Sequence, residues 1–280
     1  MKNRYYVFFG IGLALIAALL WWFYGGQWLF GSASPDVFEL SQFGTETIHY
    51  AGDPGFKIPK IHVLAFYFVP KDYASKAIGN WKAVIEESFG SLVDFYRFQL
   101  REGTDIRTDL YPEPVIGELE HRFYDGEDTN RGNPNALLSI RRELMRRVLE
   151  PSGDLNRDGY IGSDADGYKS MAIIYERVGA AATLRGSEEE EVIGGDTVAI
   201  RAEETPAFLV SRFFLTDEVY ADYGLSVLAH EFAHILGLND DYEAERGNPV
   251  SDDLMGAGMF RPLTSTYLSL DDKKQLGLSY

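Results

Sequence analysis

Cysteine is absent from all 280 residues. Disulfides and thiolate metal sites are thereby excluded, and any metal must be held by histidine and carboxylate. Basic side chains are scarce: 26 Lys and Arg stand against 43 Asp and Glu, for a net charge of −17. That balance argues against nucleic acid or an anionic membrane surface as a partner, and is compatible with bound cations. Internal repeats and extended low-complexity segments are missing as well. What the chain does have is 45% hydrophobic and 14% aromatic residues, enough for one sizeable globular domain and a small addition.

Two of the five histidines fall in the stretch His230-Glu231-Phe232-Ala233-His234-Ile235-Leu236-Gly237-Leu238-Asn239-Asp240. On a helix, residues four apart project from one face, so both imidazoles can reach one Zn²⁺ at about 2.0–2.1 Å. Glu231 sits beside them, near enough to hold a water on the metal without ligating it. Gly237 offers the left-handed conformation that ends a helix, and the return of the chain brings Asp240 within reach as an anionic third ligand. Leu225, Leu228, Phe232, Ile235 and Leu236 fall on the opposite side, toward a core. An H-E-x-x-H match alone is short; the glycine and the acid at fixed distances beyond it make chance a poor account. His49, His62 and His121 lie outside the motif and are assigned no chemistry.

H-E-x-x-H-x-x-G-x-x-D resembles the zinc signature of the metzincin metalloendopeptidases, in particular the snapalysin-like minority with Asp as third ligand. The resemblance implies His230, His234 and Asp240 as zinc ligands, with Asp241 directly behind as the alternative, and Glu231 as catalytic residue. It also implies a methionine turn a few tens of residues on. Met255 in Ser251-Asp252-Asp253-Leu254-Met255-Gly256 is well placed for it, with Met259 as the fallback. Ala257 stands where some metzincins have a further tyrosine ligand, so no side chain stabilising an oxyanion is evident.

Lys2 and Arg4 precede a stretch without charge from Tyr5 to Pro35, apolar from Val7 to Leu20 apart from two glycines. About 20 such residues span a bilayer as a helix, and the aromatic residues at both ends match interfacial belts. The charge asymmetry puts the remaining chain outside the cytoplasm. A cleaved signal peptide ending near Gly31-Ser32-Ala33 competes with a retained anchor; the length of the run favours the anchor. Residues 1–30 thus read as membrane anchor or signal segment, 31–60 as spacer or packing arm, and 61–280 as the enzyme domain, with a helix and loop inserted at about 134–167.

Within that domain, Ile61–Val69 reads as a buried strand and Asn80–Leu100 as a long amphipathic helix. Asp105–Ile116 reads as a strand limited by Pro112 and Pro114, and Asn135–Leu149 as a surface helix with Arg141, Arg142, Arg146 and Arg147 on a solvated face. Lys169–Val178 and Ala207–Leu215 read as strands, and Thr197–Ala202 as a short edge strand. Ser269 caps a last helix that Gly277 stops. The expected fold is α+β: a metzincin-like mixed sheet with a long backing helix, an active-site helix and a methionine turn, preceded by one transmembrane helix.

A second cation signal is Asp154-Leu155-Asn156-Arg157-Asp158-Gly159-Tyr160-Ile161, the first part of a Ca²⁺ loop. Asp154, Asn156, Asp158, the Tyr160 carbonyl and a closing acid such as Asp164 would be the ligands; the competing reading is an Asx-rich turn that binds nothing. Together these signals lead to a membrane-tethered, extracytoplasmic zinc metalloendopeptidase, Zn²⁺-dependent and Ca²⁺-stabilised, that takes a peptide or protein substrate in extended form. An inactive zinc- and calcium-stabilised binding module and a zinc amidase acting on a non-protein amide are the alternatives.

Overall fold

The β-branched and aromatic run after Lys60 forms an interior strand of a sheet. The computed structural model describes residues 47–100, 104–125, 134–149, 163–164, 167–177, 181–184, 190–193, 196–199, 206–242 and 249–279, all within the compact unit Thr45–Tyr280. The N-terminal apolar stretch and the loop carrying Asp154, Asn156, Asp158 and Tyr160 lie outside the described residues. Among those that are described, no helix is long and apolar enough to cross a membrane.

In chain order the strands are β1 (Ile48–Tyr50), β2 (Asp53–Ile58), β3 (Lys60–Val69), β4 (Asp105–Leu110), β5 (Val115–Ile116), β6 (Ser163–Asp164), β7 (Gly167–Tyr175), β8 (Ala182–Leu184), β9 (Glu190–Ile193), β10 (Asp196–Ala199) and β11 (Ala207–Ser211). The α-helices are α1 (Trp81–Leu100), α2 (Pro134–Leu144), α3 (Arg212–Thr216), α4 (Gly224–Ile235) and α5 (Leu270–Gln275). The main sheet runs β4-β3-β7-β11-β8, with β5 also on β3 and β6 on β7. Its central pairings are parallel; β8 lies antiparallel to β11 at one edge. The result is a mixed α/β fold with a mostly parallel sheet.

Period-two alternation explains the two cores. Ile61, Val63, Ala65 and Tyr67 of β3, Ala172 and Ile174 of β7, and Phe208 and Val210 of β11 face one side. There they meet Ile85, Phe89, Leu92 and Tyr96 of α1 and Leu228 and Phe232 of α4. Phe66, Phe68, Met171, Ile173 and Leu209 face the other side, against Ala136, Leu137, Ile140 and Leu144 of α2. Burial on both faces is why these strands read as continuous apolar runs.

Several expectations are corrected. Asp105–Ile116 is two short strands, because Pro112 and Pro114 interrupt the ladder between them. The β11 strand ends at Ser211, whose hydroxyl accepts the Phe213 amide and starts α3. Of the expected edge strand, Thr197–Ala199 belongs to β10, which among the described residues pairs with β9 in a separate two-stranded sheet, and β8 is the sheet edge beside α4. The apolar stripe of α2 covers the second core while Asn135 and Arg142 face out, and Leu144 leads into a π-turn over Met145–Leu149. Of its arginines, Arg141 is buried, while Arg146 and Arg147 pair with Glu118 and Glu143. From the segment expected to be spacer or packing arm, β1 and β2 form a hairpin with Ile48 and Ile58 fully buried in the first core.

Candidate metal centre

Eleven of the twelve residues of α4 are buried, so the helix is held by tertiary packing more than by propensity. Two phenols brace it: Tyr96 donates to the Ala229 carbonyl at 2.7 Å and Tyr168 to the Ile235 carbonyl at 2.7 Å. Its end is closed by Gly237 N–H to His234 O at 2.9 Å and Leu238 N–H to Ala233 O at 3.3 Å. Gly237 has φ +90°, and a Cβ there would sit 2.6 Å from the Tyr50 ring of β1. Only glycine fits this position, and the turn it makes sends Asn239 and Asp240 back toward the histidines.

The Nδ1 atom of His230 lies 3.0 Å from Leu254 O, and that of His234 lies 2.8 Å from Leu238 O. A carbonyl oxygen can only accept, so each Nδ1 carries the hydrogen and a neutral ring leaves its Nε2 lone pair bare. The two Nε2 atoms are 3.1 Å apart, and Asp240 Oδ1 lies 3.0 and 3.3 Å from them. Three acceptors therefore converge, an arrangement that needs a cation. Tetrahedral ligands at about 2.0–2.1 Å from zinc stand about 3.3–3.4 Å apart, so the spacing fits that ion, and imidazole with carboxylate suits its chemistry. Among the described residues these three form a group able to hold a metal ion. Asp240 is the carboxylate of this group, and the Asp241 amide donates to Met255 O at 2.9 Å.

A proton can take a cation's place among these acceptors, and the shifts describe that state. Burial alone would raise the pKa of Asp240, but hydrogen bonds from protonated His230 and His234 override it and hold the carboxyl well below its usual range. Burial pushes His230 down, yet its bond to Asp240 and the charges of Glu231 and Asp240 leave it raised, as expected where positive charge is attracted. The segment expected as a methionine turn supports both sides of the cluster. Asp253 Oδ1 accepts from Ser251 Oγ at 2.8 Å and from the Met255 amide at 3.0 Å, shaping a turn that offers Leu254 O to His230. Met255 is fully buried.

Glu231 is buried beside the cluster, with Oε2 2.5 Å from Thr183 Oγ1 on β8. Tyr242 sits half-buried with its hydroxyl 3.0 Å from Met259 Sδ. Burial and the charges of Asp240 and Glu231 push this phenol up to about 12, so it stays protonated in neutral solution. Sequence reasoning singled out neither Thr183 nor Tyr242. Of the residues expected to bind calcium, Asp164 is described only as part of β6, and the other four lie outside the described residues.

Fold and site together define a mixed α/β protein with a two-histidine, one-carboxylate centre and a buried glutamate beside it. No protein-family model matches the chain, and no curated protein matches it in sequence. Among solved structures it is similar to metalloproteinase-II from Bacteroides fragilis, at 13% identity and a TM-score of 0.42, over 85% of this chain and 58% of that one. It is also similar to a zinc-dependent peptidase from Methanocorpusculum labreanum, at 16% identity and a TM-score of 0.33, over 77% of this chain and 99% of that one. The chain thus spans less than two thirds of the Bacteroides protein's length.

Proposed function

We propose that the chain is a zinc metallopeptidase of metzincin type with His230, His234 and Asp240 as ligands. The observation that carries this reading is the convergence of three bare acceptors next to a buried glutamate. A structural zinc site normally has four protein ligands, whereas three leave a position open for chemistry. When bound, zinc supplies Lewis acidity, acidifying a water toward a pKa of about 7 and polarising the scissile carbonyl.

The side chains do the rest. Nδ1–H bonds to Leu254 O and Leu238 O fix both ring orientations and tautomers. Glu231 takes the proton of the attacking water and returns it to the leaving amine. Tyr242, kept protonated, offers a phenolic hydrogen on the Asp240 side. The outer edge of β8, last in the strand order among the described residues, is where an extended peptide would pair through its backbone. The N-terminal apolar stretch would tether the domain outside the cytoplasm, and the Asp154 loop would take Ca²⁺ as a structural clamp.

Metal analysis of the purified chain, together with a quenched-peptide assay of wild type and Glu231→Gln, tests the reading. One zinc per chain in both proteins, with cleavage in wild type and a loss of at least about 100-fold in the variant, is the expected result. Zinc without cleavage that depends on Glu231 means a binding module instead.

A further inference from the structure

The glutamate beside the cluster is gripped from outside its own helix. Thr183 Oγ1 lies 2.5 Å from Glu231 Oε2 and 3.1 Å from the Glu231 main-chain oxygen. A hydroxyl has one hydrogen to give. The main-chain oxygen already receives the amide four residues on within α4. The carboxylate, charged and closer, is the stronger acceptor, so the hydrogen goes to Oε2. Among the described residues Oε1 has no hydrogen-bond partner.

The grip is stiff at its far end. Thr183 is β-branched, which restricts its χ1, and its strand is tied to β11 in the register Thr183 to Phe208. Glutamate, by contrast, has a long side chain whose rotamer freedom must be removed before it can act as a base in one fixed direction. We propose, building on the peptidase reading, that Thr183 is a positioning residue that engages Oε2 and leaves Oε1 as the oxygen that takes and returns the proton. The edge strand would then set the direction of the catalytic base, a part that the H-E-x-x-H helix cannot supply for itself.

The test compares the full chain with Thr183→Val, Thr183→Ala and Thr183→Ser by zinc content, by kcat and KM on a quenched peptide, and by crystal structures. Val and Ala are expected to keep one zinc per chain and a KM within about twofold, while kcat falls roughly 10-fold to 100-fold and Ser restores it. In the Val and Ala crystals the Glu231 carboxylate should leave its wild-type position, and in the Ser crystal it should stay. Unchanged kcat, a Ser variant as impaired as Val, or a Glu231 that does not move overturns the proposal. A zinc-loaded wild type that cleaves no peptide overturns the peptidase reading, and the crystal comparison still decides whether Thr183 fixes Glu231.

Discussion

Asp240 differs from the histidines it meets in being half-exposed: 51% of its side chain is open, against 5% for His230 and 10% for His234. Its position therefore depends on its partners and on the turn at Gly237 more than on packing. Asp240→Asn is expected to leave the fold of the metal-free protein intact, because little is buried by the side chain. Removing the one anionic donor should weaken zinc binding by more than about 100-fold, beyond the usual effect of an outer-shell change. Chelator competition with melting of the metal-free protein reads both; unchanged affinity would remove Asp240 from the ligand set. His230, Glu231, His234 and Asp240 were legible because their geometry follows from helical spacing and one glycine. Thr183 and Tyr242 were not, because their approach depends on where a distant strand and a returning loop come to rest.

At the scale of elements, Gly237 is the joint on which the centre turns. Gly237→Ala meets both a left-handed backbone and the Tyr50 ring, and is expected to cost about 2–4 kcal/mol and to weaken zinc binding by displacing Asp240. Gly52→Ala, at φ +80° with open space around it, should cost only the backbone part, about 1 kcal/mol, and leave zinc binding alone. Equal effects on zinc would show that the position of the turn is irrelevant. A second element-level prediction concerns the β3–β4 pairing, where His62 and Arg107 meet Asp109. Burial would raise the Asp109 pKa, but hydrogen bonds from His62 and Arg107, and the charge of Arg107, hold it below the ordinary value. A carboxyl lowered in the folded state contributes stability above its unfolded pKa of about 4, and that contribution is lost as pH falls further. Since Asp109 is partly exposed, the wild type should exceed Asp109→Asn by only about 0.5 kcal/mol near neutrality, with no difference near pH 2. Melting curves across that range check it; a gap that widens in acid would reverse the sign.

Long periodic runs were the part of the fold that sequence made plain. The β3 strand, α1 and the capped α5 all followed from period and caps, with the Ser269–Asp272 capping box and Gly277 at φ +81° at the last helix. Short elements escaped, because four or five residues carry too little pattern: α3 looked like more of β11, and β10 like an edge of the main sheet. The solvated face read for α2 holds for Arg142 and Arg146, which are exposed, but not for Arg141, which is buried.

For the molecule as a whole, the sheet divides two apolar layers, and only one of them carries the candidate metal centre. Phe232 belongs to α4, packing 4.6 Å from the Tyr96 ring, whereas Leu137 lies across the sheet on α2. Both are fully buried, so truncation to alanine should destabilise each variant by about 3 kcal/mol through lost burial and a residual cavity. Their effects on the site should differ. A cavity under α4 lets the helix shift against α1 and separates His230 from Leu254 O, whereas one under α2 leaves those hydrogen bonds untouched. Phe232→Ala is thus expected to weaken zinc binding as well as stability, and Leu137→Ala stability alone, as read by denaturant unfolding of the metal-free proteins and chelator competition. Equal losses of zinc affinity would mean that strain crosses the sheet and that the two layers act as a single core.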